Sequence, residues 1–419
     1  MHGVNPLNTP SSHKAYAVFA IFALGYLLSS LLRGVTAALA PSFISEFQAD
    51  PAQLGLLAGA YFLSFAVLQL PMGIWLDRYG VRRVLMVTLS IAAASCVMFA
   101  VAQTFHALVT ARVLTGIGVS ACLIAPLTAA RLWVPPSDQQ RINSWMLMAG
   151  ALGLVMGTLP AEQLSALWGW RVVFVLVGAL VFAVAIAVAW VAPHQERKPS
   201  QTGLPSGYGA ILRNSYMQSI GPLGLFNYSI LVAVQTLWIG PWLTNLGGMA
   251  SKQAATQLMY VNVTMLLVFL LMGNLSPKIN KSANDSERIL KTWTPLSVVM
   301  LFLIAYMGAS AGWLHFAAFC VAAWPLSVTH PLVGQRFSRA EAGRALTLYN
   351  LLLFAGVFCW QWGFGIVVKY LQPVLGVADA YRAAMLMLAL LSTAGYVLFA
   401  ITINKAKVSE SKTFVAELP

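Results

Sequence analysis

The chain alternates long apolar runs with short polar linkers. A helix needs about 20 apolar residues to cross the hydrocarbon of a bilayer. Twelve runs meet that length, beginning near Ala15, Gln53, Val84, Ala107, Ile142 and Val172, then near Met217, Ala254, Leu290, Ala311, Arg344 and Arg382. They are numbered here as spans 1 to 12. Residues 1–14 are polar, and the apolar run after them is about 28 residues long, too long for the core of a cleaved signal peptide. It is therefore expected to stay as span 1. One linker stands out as longer and polar, from Pro193 to Arg213. The pattern predicts an all-α membrane protein of two six-helix halves, 1–192 and 214–404. A linker at 193–213 joins them, and a tail at 405–419 follows.

Composition agrees with a membrane protein. The chain of 419 residues is 59% apolar and 9% charged, whereas soluble domains average about 45–50% and about 25%. That excludes a soluble enzyme, a coiled coil, a disordered scaffold and a secreted disulfide module. The net charge of +13 would suggest nucleic acid in a soluble protein. Here the basic residues sit in short loops between apolar runs. Nineteen of the 25 Lys and Arg fall on one side of the predicted bundle and four on the other, with Arg33 and Arg112 inside spans. The positive-inside rule then places both termini and the linker in the cytoplasm, with the bundle in the inner membrane. Cys96, Cys122, Cys320 and Cys359 form no CxxC pair and have no His cluster near them. They are read as small buried apolar residues, with no disulfide or metal site.

The two halves repeat. Span 4 ends in Pro126-Leu127 with Arg131-Leu132, and span 10 in Pro331-Leu332 with Arg336-Phe337, 205 positions later. Met72-Gly73 recurs as Met272-Gly273 at an offset of 200. Duplicated halves suggest a site at their interface, gated by rocking of one half on the other.

Between spans 2 and 3 lies Gly73-Ile-Trp-Leu-Asp77-Arg78-Tyr-Gly80-Val-Arg82-Arg83. Gly73 would let neighbouring helices approach closely, and Gly80 would permit the turn. Asp77 can face a cation or a helix N-terminus, and the arginines can pair across to other loops. Asp138, in the next loop, is the nearest candidate partner in sequence. This stretch resembles the signature loop of the major facilitator superfamily, departing at Val81, where that pattern has a basic residue. Arg112-x-x-x-Gly116-x-Gly118 in span 4 resembles the family's second motif. Gly150, Gly153, Gly157 and Pro160 in span 5, and Gly169-Trp170-Arg171 before span 6, are similar to the family as well. The resemblance covers essentially the whole chain. In the second half Gly273-Asn-Leu-Ser-Pro-Lys278 lacks the acid of the loop. The resemblance implies the twelve-helix fold, alternating access, a monomer, and a gating role for Gly73, Asp77, Arg78, Gly80, Arg82, Arg83 and Asp138.

Arg33 is the most informative single residue. It lies deep in span 1, some 25 Å from the helix start at about 1.5 Å per residue. A charge there costs at least about 2.5–3.5 kcal/mol and usually faces a watery cavity. Tyr26, Ser30, Arg33 and Ala37 share one helical face, and Tyr61 of span 2 is counted with them as a candidate substrate contact. A guanidinium so placed suits a carboxylate or phosphate. The alternative is an Arg that reaches the far interface or pairs with Glu162. The stretch also resembles span 1 of the organic-anion and sugar-phosphate branches of the superfamily, in which an arginine holds the anionic group. Arg112 is either structural or part of ion coupling. No Asp or Glu stands within spans 1 or 4 at mid-depth, so proton coupling would fall to Glu162 or His330. His330 can titrate near neutral pH, or it can bond a carbonyl freed by Pro331.

In the second half polar and aromatic residues replace charge: Asn227, Tyr228, Gln235 and Trp238 in span 7, Tyr260 and Asn262 in span 8, Trp324 in span 10, and Asn350, Trp360, Gln361 and Trp362 in span 11. Polar residues in lipid tend to face the bundle interior. Gln235, Trp238 and Asn350 are the substrate candidates among them. No Walker loop and no catalytic or metal-ligating constellation is present, so no cofactor is expected and neither an ATP-driven pump nor a membrane enzyme fits. The linker and tail are too short to fold as a receptor or catalytic domain. The reading is a secondary transporter of a small organic anion, energised by a proton gradient or by a counter-anion. The alternative is an importer or exporter of peptides, siderophores or hydrophobic drugs.

Overall fold

A computed structural model describes residues 12–134, 136–193, 208–279, 283–338 and 341–416. Its elements among these residues are all helical. Span 1 is Ser12–Phe47. The next helix, Pro51–Ala100, is 50 residues long, far more than one crossing requires. It breaks at Gly80, whose φ of 78° lies in the left-handed region open to glycine. The break is a reversal. A Cβ on Gly116 would lie 2.2 Å from the Tyr61 carbonyl oxygen, and one on Gly118 would lie 2.3 Å from the Ala92 nitrogen. Two neighbouring positions thus touch residues that a straight helix would hold about 46 Å apart. Spans 2 and 3 are therefore the two legs, 51–79 and 81–100, and Gly80 makes the turn expected of it.

Span 4 runs through Phe105–Val119 and Ile124–Trp133. Span 5 joins Pro136–Met156 to Leu159–Trp168 through a bend of 41°. Span 6 is Trp170–Val191. Span 7, Ser215–Leu246, includes three π-helical stretches, Leu223–Tyr228, Val234–Trp238 and Trp242–Leu246. Pro222 and Pro241 precede two of them, and proline withholds an amide that an α-helix would use. Spans 8, 9 and 10 are Ser251–Ile279, Ala283–Met307 and Trp313–Arg336. The last helix, Ala342–Ala416, reverses at Gly376 (φ 80°). Its two legs touch adjacent residues of span 7. A Cβ on Gly356 would meet the Leu225 oxygen at 2.7 Å, and one on Gly395 would meet Phe226 at 2.5 Å. These legs are spans 11 and 12.

Nine helices are long and apolar enough to cross a membrane, or ten with the bent pair as one. Two of them double back, so the described residues supply twelve crossings. The final helix continues to Ala416, so the segment expected as a tail from 405 is helical along most of its length. The linker expected at 193–213 lies mostly outside the described residues, and its last part is a short helix, Tyr208–Arg213.

Small residues set the packing. The stripe Gly150, Gly153 and Gly157 of span 5 lies on Tyr26, Leu27 and Leu31 of span 1, as expected for helices that associate through close backbone approach. Gly73 behaves differently. It is exposed, and among the described residues nothing lies within 4 Å of a Cβ built there. Cys359 is exposed and the other three cysteines are buried.

Candidate functional site

Arg33 is half-buried about midway along span 1. Its Nη2 donates to Ser30 Oγ at 3.3 Å, while its Nε is buried without a partner. The hydroxyls of Tyr26 and Tyr61 lie beside the guanidinium. Among the described residues no carboxylate pairs with it, Glu162 included. Glu162 sits on the last segment of span 5, is 8% exposed, and leaves Oε2 unpartnered with Lys252 as its nearest charge.

Arg112 holds this corner in shape. It is 1% exposed. Its Nη1 donates to the Leu32 carbonyl at 2.8 Å, and its Nη2 donates to Thr36 Oγ1. Both acceptors flank Arg33 on span 1. The same guanidinium stands 5.3 Å from the Tyr61 ring centre, a favourable cation–π distance. Tyr61 is itself 1% exposed, so its ring is locked and only its hydroxyl edge approaches Arg33. Two cations thus lie close together in the bundle, and their described partners are neutral.

Tyr228 of span 7 faces them from the other half, with its hydroxyl in electrostatic reach of Tyr26 and Arg33. Behind it lies His330 of span 10, with ring centroids 5.7 Å apart at 87°. The His330 Nε2 is 2.7 Å from Asn350 Oδ1, and its ring stands edge-on to Tyr349 at 5.2 Å. Tyr349 donates to Thr329 Oγ1 at 2.7 Å. His330 therefore bonds a side chain of span 11 and not the carbonyl freed by Pro331. The sequence reading missed Tyr349 and passed over Tyr228. Their only signal was a tyrosine next to an asparagine, Asn227-Tyr228 and Tyr349-Asn350, and such a pair does not by itself mark a site.

Most of the other polar residues of the second half bond to one another across helices, although Asn227 Oδ1, Gln361 Oε1 and Trp238 Nε1 are buried without a partner. Gln235 Nε2 donates to Asn262 Oδ1 at 3.0 Å, and Asn227 Nδ2 to Ser392 Oγ at 2.7 Å. Gln361 Nε2 donates to Thr236 Oγ1 at 3.0 Å, and Trp360 Nε1 to the Leu225 oxygen at 2.6 Å. Trp238 has 0% exposure and stacks on Phe364 at 4.3 Å. Gln235 and Trp238 are thus helix-to-helix contacts and not open substrate contacts. Unpaired amides cost more in hydrocarbon than in water, so they find partners first. Tyr260 is exposed and packs on Trp313.

The bundle is closed at one end. Spans 2 and 11 press together where a Cβ on Gly55 would lie 2.3 Å from the Gln361 oxygen and one on Gly365 would lie 2.1 Å from the Pro51 oxygen. Spans 1 and 7 meet likewise at Gly240 and the Ala37 oxygen, 2.3 Å. Asp50 and Lys369 bridge the same end at 2.9 Å. Burial works against the Asp50 carboxylate, but the Gln53 amide and the Lys369 ammonium outweigh it and hold it below the usual carboxylate range. Beside it Arg171 and Trp170 bind Glu46 at 2.8 and 2.7 Å. At the other end Asp77, Arg78 and Arg83 stand exposed around the Gly80 turn, and Arg82 is half-buried. Asp138 lies on span 5, with its side chain outside the described residues. A second cluster at that end went unnoticed in the sequence: Arg336 Nη2 holds the buried Glu287 at 2.9 Å and covers the Tyr216 ring at 5.4 Å.

A family profile described as Major Facilitator Superfamily matches residues 22–360. The chain belongs to the Major Facilitator Superfamily. Its fold is that of other superfamily structures. A bacterial homolog of the human lysosomal transporter Spinster, inward-facing and occupied, superposes with a TM-score of 0.76 at 19% identity, over 95% of this chain and 99% of that one. A D-xylose-proton symporter superposes at 0.72 and 15% identity, over 90% and 97%. Among curated relatives, an uncharacterized transporter of Bacillus subtilis (YybO) is 27% identical over 47% of this chain and 49% of its own. A chloramphenicol efflux pump of Mycobacterium tuberculosis is 31% identical over 46% of each chain. The hexuronate transporter of Escherichia coli is 25% identical over 41% of this chain and 39% of its own. The chain thus spans about half the length, or less, of these relatives.

Proposed function

We propose that this superfamily member is a secondary transporter of a small organic anion, working by alternating access, with Arg33 as the anchor for a carboxylate or phosphate. One observation carries the reading. Arg33 is a charge placed mid-span at a cost of at least about 2.5–3.5 kcal/mol, yet its described partners are only neutral hydroxyls, Ser30 at 3.3 Å with Tyr26 and Tyr61 beside it, and its Nε is buried without a partner. An anion would supply the missing charge and acceptors through two parallel bonds. Arg112 adds a second positive charge with neutral partners, and Tyr26, Tyr61 and Tyr228 offer hydroxyls around the same point. The hexuronate transporter among the relatives is compatible with a hydroxylated monocarboxylate.

By the charge rule the Asp77 end faces the cytoplasm. The closure at the Asp50 end then makes this an inward-facing or occluded state. The Gly80 turn with Asp77 and its arginines would clamp the halves once the cytoplasmic side closes.

The test is a thermal-shift screen of the detergent-purified protein with hexuronates, small carboxylates, sugar phosphates, dipeptides and lipophilic drugs. A ligand at 100 times its Kd stabilises the native state by about 2.7 kcal/mol. The expected result is stabilisation by one anion class, abolished in Arg33→Ala. Stabilisation by drugs or neutral peptides, equal in both proteins, refutes the anion reading.

A further inference from the structure

Eleven of the twelve Asp and Glu of this chain lie in loops, in the tail or within a turn or so of span ends, and Glu162 lies six residues inside the Trp168 end of span 5. Of its six histidines, His330 alone sits well inside a span. It is also placed against the candidate anion site. Tyr228 separates it from Arg33, and no other described charge faces it. The groups packed on its ring are Tyr228 from span 7 and Tyr349 and Asn350 from span 11, with Tyr26 and Arg33 of span 1 behind Tyr228. We propose that His330 is the proton-binding residue of this carrier and loads a proton together with the anion bound at Arg33. This rests on the anion reading above.

The physical argument is linkage. Asn350 Oδ1 can only accept, so His330 Nε2 carries the hydrogen of that bond at 2.7 Å. Nδ1 then keeps the lone pair and is the atom that takes a proton from water. In the empty carrier Arg33 opposes a second positive charge nearby. A bound carboxylate cancels Arg33, so the imidazolium becomes cheaper to form. By reciprocity the protonated imidazole raises the affinity for the anion by the same factor. Cooperative loading of an anion and a proton is what symport requires. Access fits too. His330 lies six residues, about 9 Å, from the Arg336 end of span 10, the end away from the Asp50–Lys369 closure. Glu162, the other titratable candidate, faces Lys252 and stands a turn or more beyond the level of Arg33.

The experiment uses the full chain in detergent with D-glucuronate as probe, or with whichever carboxylate of the screen stabilises the protein. Binding is measured first by thermal shift. Proton uptake on adding the probe is then read with a pH dye in weakly buffered solution. Wild type is expected to take up close to one proton per bound anion near neutral pH. Its apparent Kd is expected to weaken by up to tenfold per pH unit as the solution is made more alkaline. In His330→Gln the anion binds with little pH dependence and no uptake. Anion binding without proton uptake in wild type overturns the proposal, as does uptake that persists in His330→Gln or that is lost only in Glu162→Gln. If His330→Gln does not fold, Asn350→Ser keeps the imidazole and removes the acceptor that favours its charged form. The pH midpoint of binding should then fall, and an unmoved midpoint overturns the proposal. A screen in which no carboxylate or phosphate stabilises wild type refutes the anion reading itself, and it does so before any proton is counted.

Discussion

Gly365→Ala tests the closure at the Asp50 end most directly. The new methyl carbon would sit 2.1 Å from the Pro51 carbonyl oxygen and 3.0 Å from the Ala52 Cα. Ordinary contact begins near 3.4 Å, so spans 2 and 11 must part by about 1.3 Å there. These neighbours are all backbone, so no side chain can swing aside to absorb the overlap. Overpacking of this kind costs about 1–3 kcal/mol in states where the helices touch. It costs nothing in a state where the Asp50 end is open. The population ratio should therefore move toward the open form by about 5- to 150-fold. Spin labels at Ser45→Cys and Val374→Cys, both exposed at that end, would report it as a longer-distance population in a double electron–electron resonance measurement. The labelled protein needs the exposed Cys359 replaced first. An unchanged distance distribution in Gly365→Ala, with melting temperature lowered or not, would refute the argument that this contact selects the conformation.

The remaining predictions concern the site and its supports. Arg112→Lys should lower the melting temperature almost as much as Arg112→Ala, because one ammonium cannot reach both Leu32 O and Thr36 Oγ1 in place of the planar fork. A charged hydrogen bond of this type is worth about 1.5–3 kcal/mol, and full rescue by Lys in a thermal melt would contradict the geometry. Tyr61→Phe keeps the ring on Arg112 and should weaken anion binding several-fold with little change in melting temperature, checked by titration of the stabilising ligand. Trp238→Phe should do the reverse, lowering stability through the space left beside Phe364 and Tyr381 while leaving ligand affinity unchanged. Asp50 has a depressed folded pKa, so its contribution is complete above the ordinary carboxylate value and is lost only as pH falls through the depressed one. The same spin-label distances should therefore hold from pH 8 to pH 5 and lengthen only in stronger acid. Opening near pH 6 would assign the closure to another group.

The membrane class, the twelve crossings and the turn at Gly80 were all legible in the sequence, because each depends on local properties. Hydrocarbon thickness converts run length directly into span count, and a backbone at positive φ calls for glycine wherever it occurs. Arg33 stood out for the same reason, as one charge in a run where charge is expensive. Which polar residues were left over for a ligand was decided only by the tertiary structure. Gln235 looked like a ligand contact on its own span, but it is bonded to Asn262 on another, and the amide nitrogens of Asn227 and Gln361 are likewise taken by Ser392 and Thr236. Tyr228 gained its place beside Arg33, and His330 its place behind Tyr228, only when spans 1, 7 and 10 came together. The closure at Gly55, Gly365 and Gly240 was hidden likewise, since what makes those glycines matter is the carbonyl of a distant helix. Run length and charge are properties of a segment, whereas hydrogen-bond satisfaction and close approach are properties of pairs, and the pairs are made by the fold.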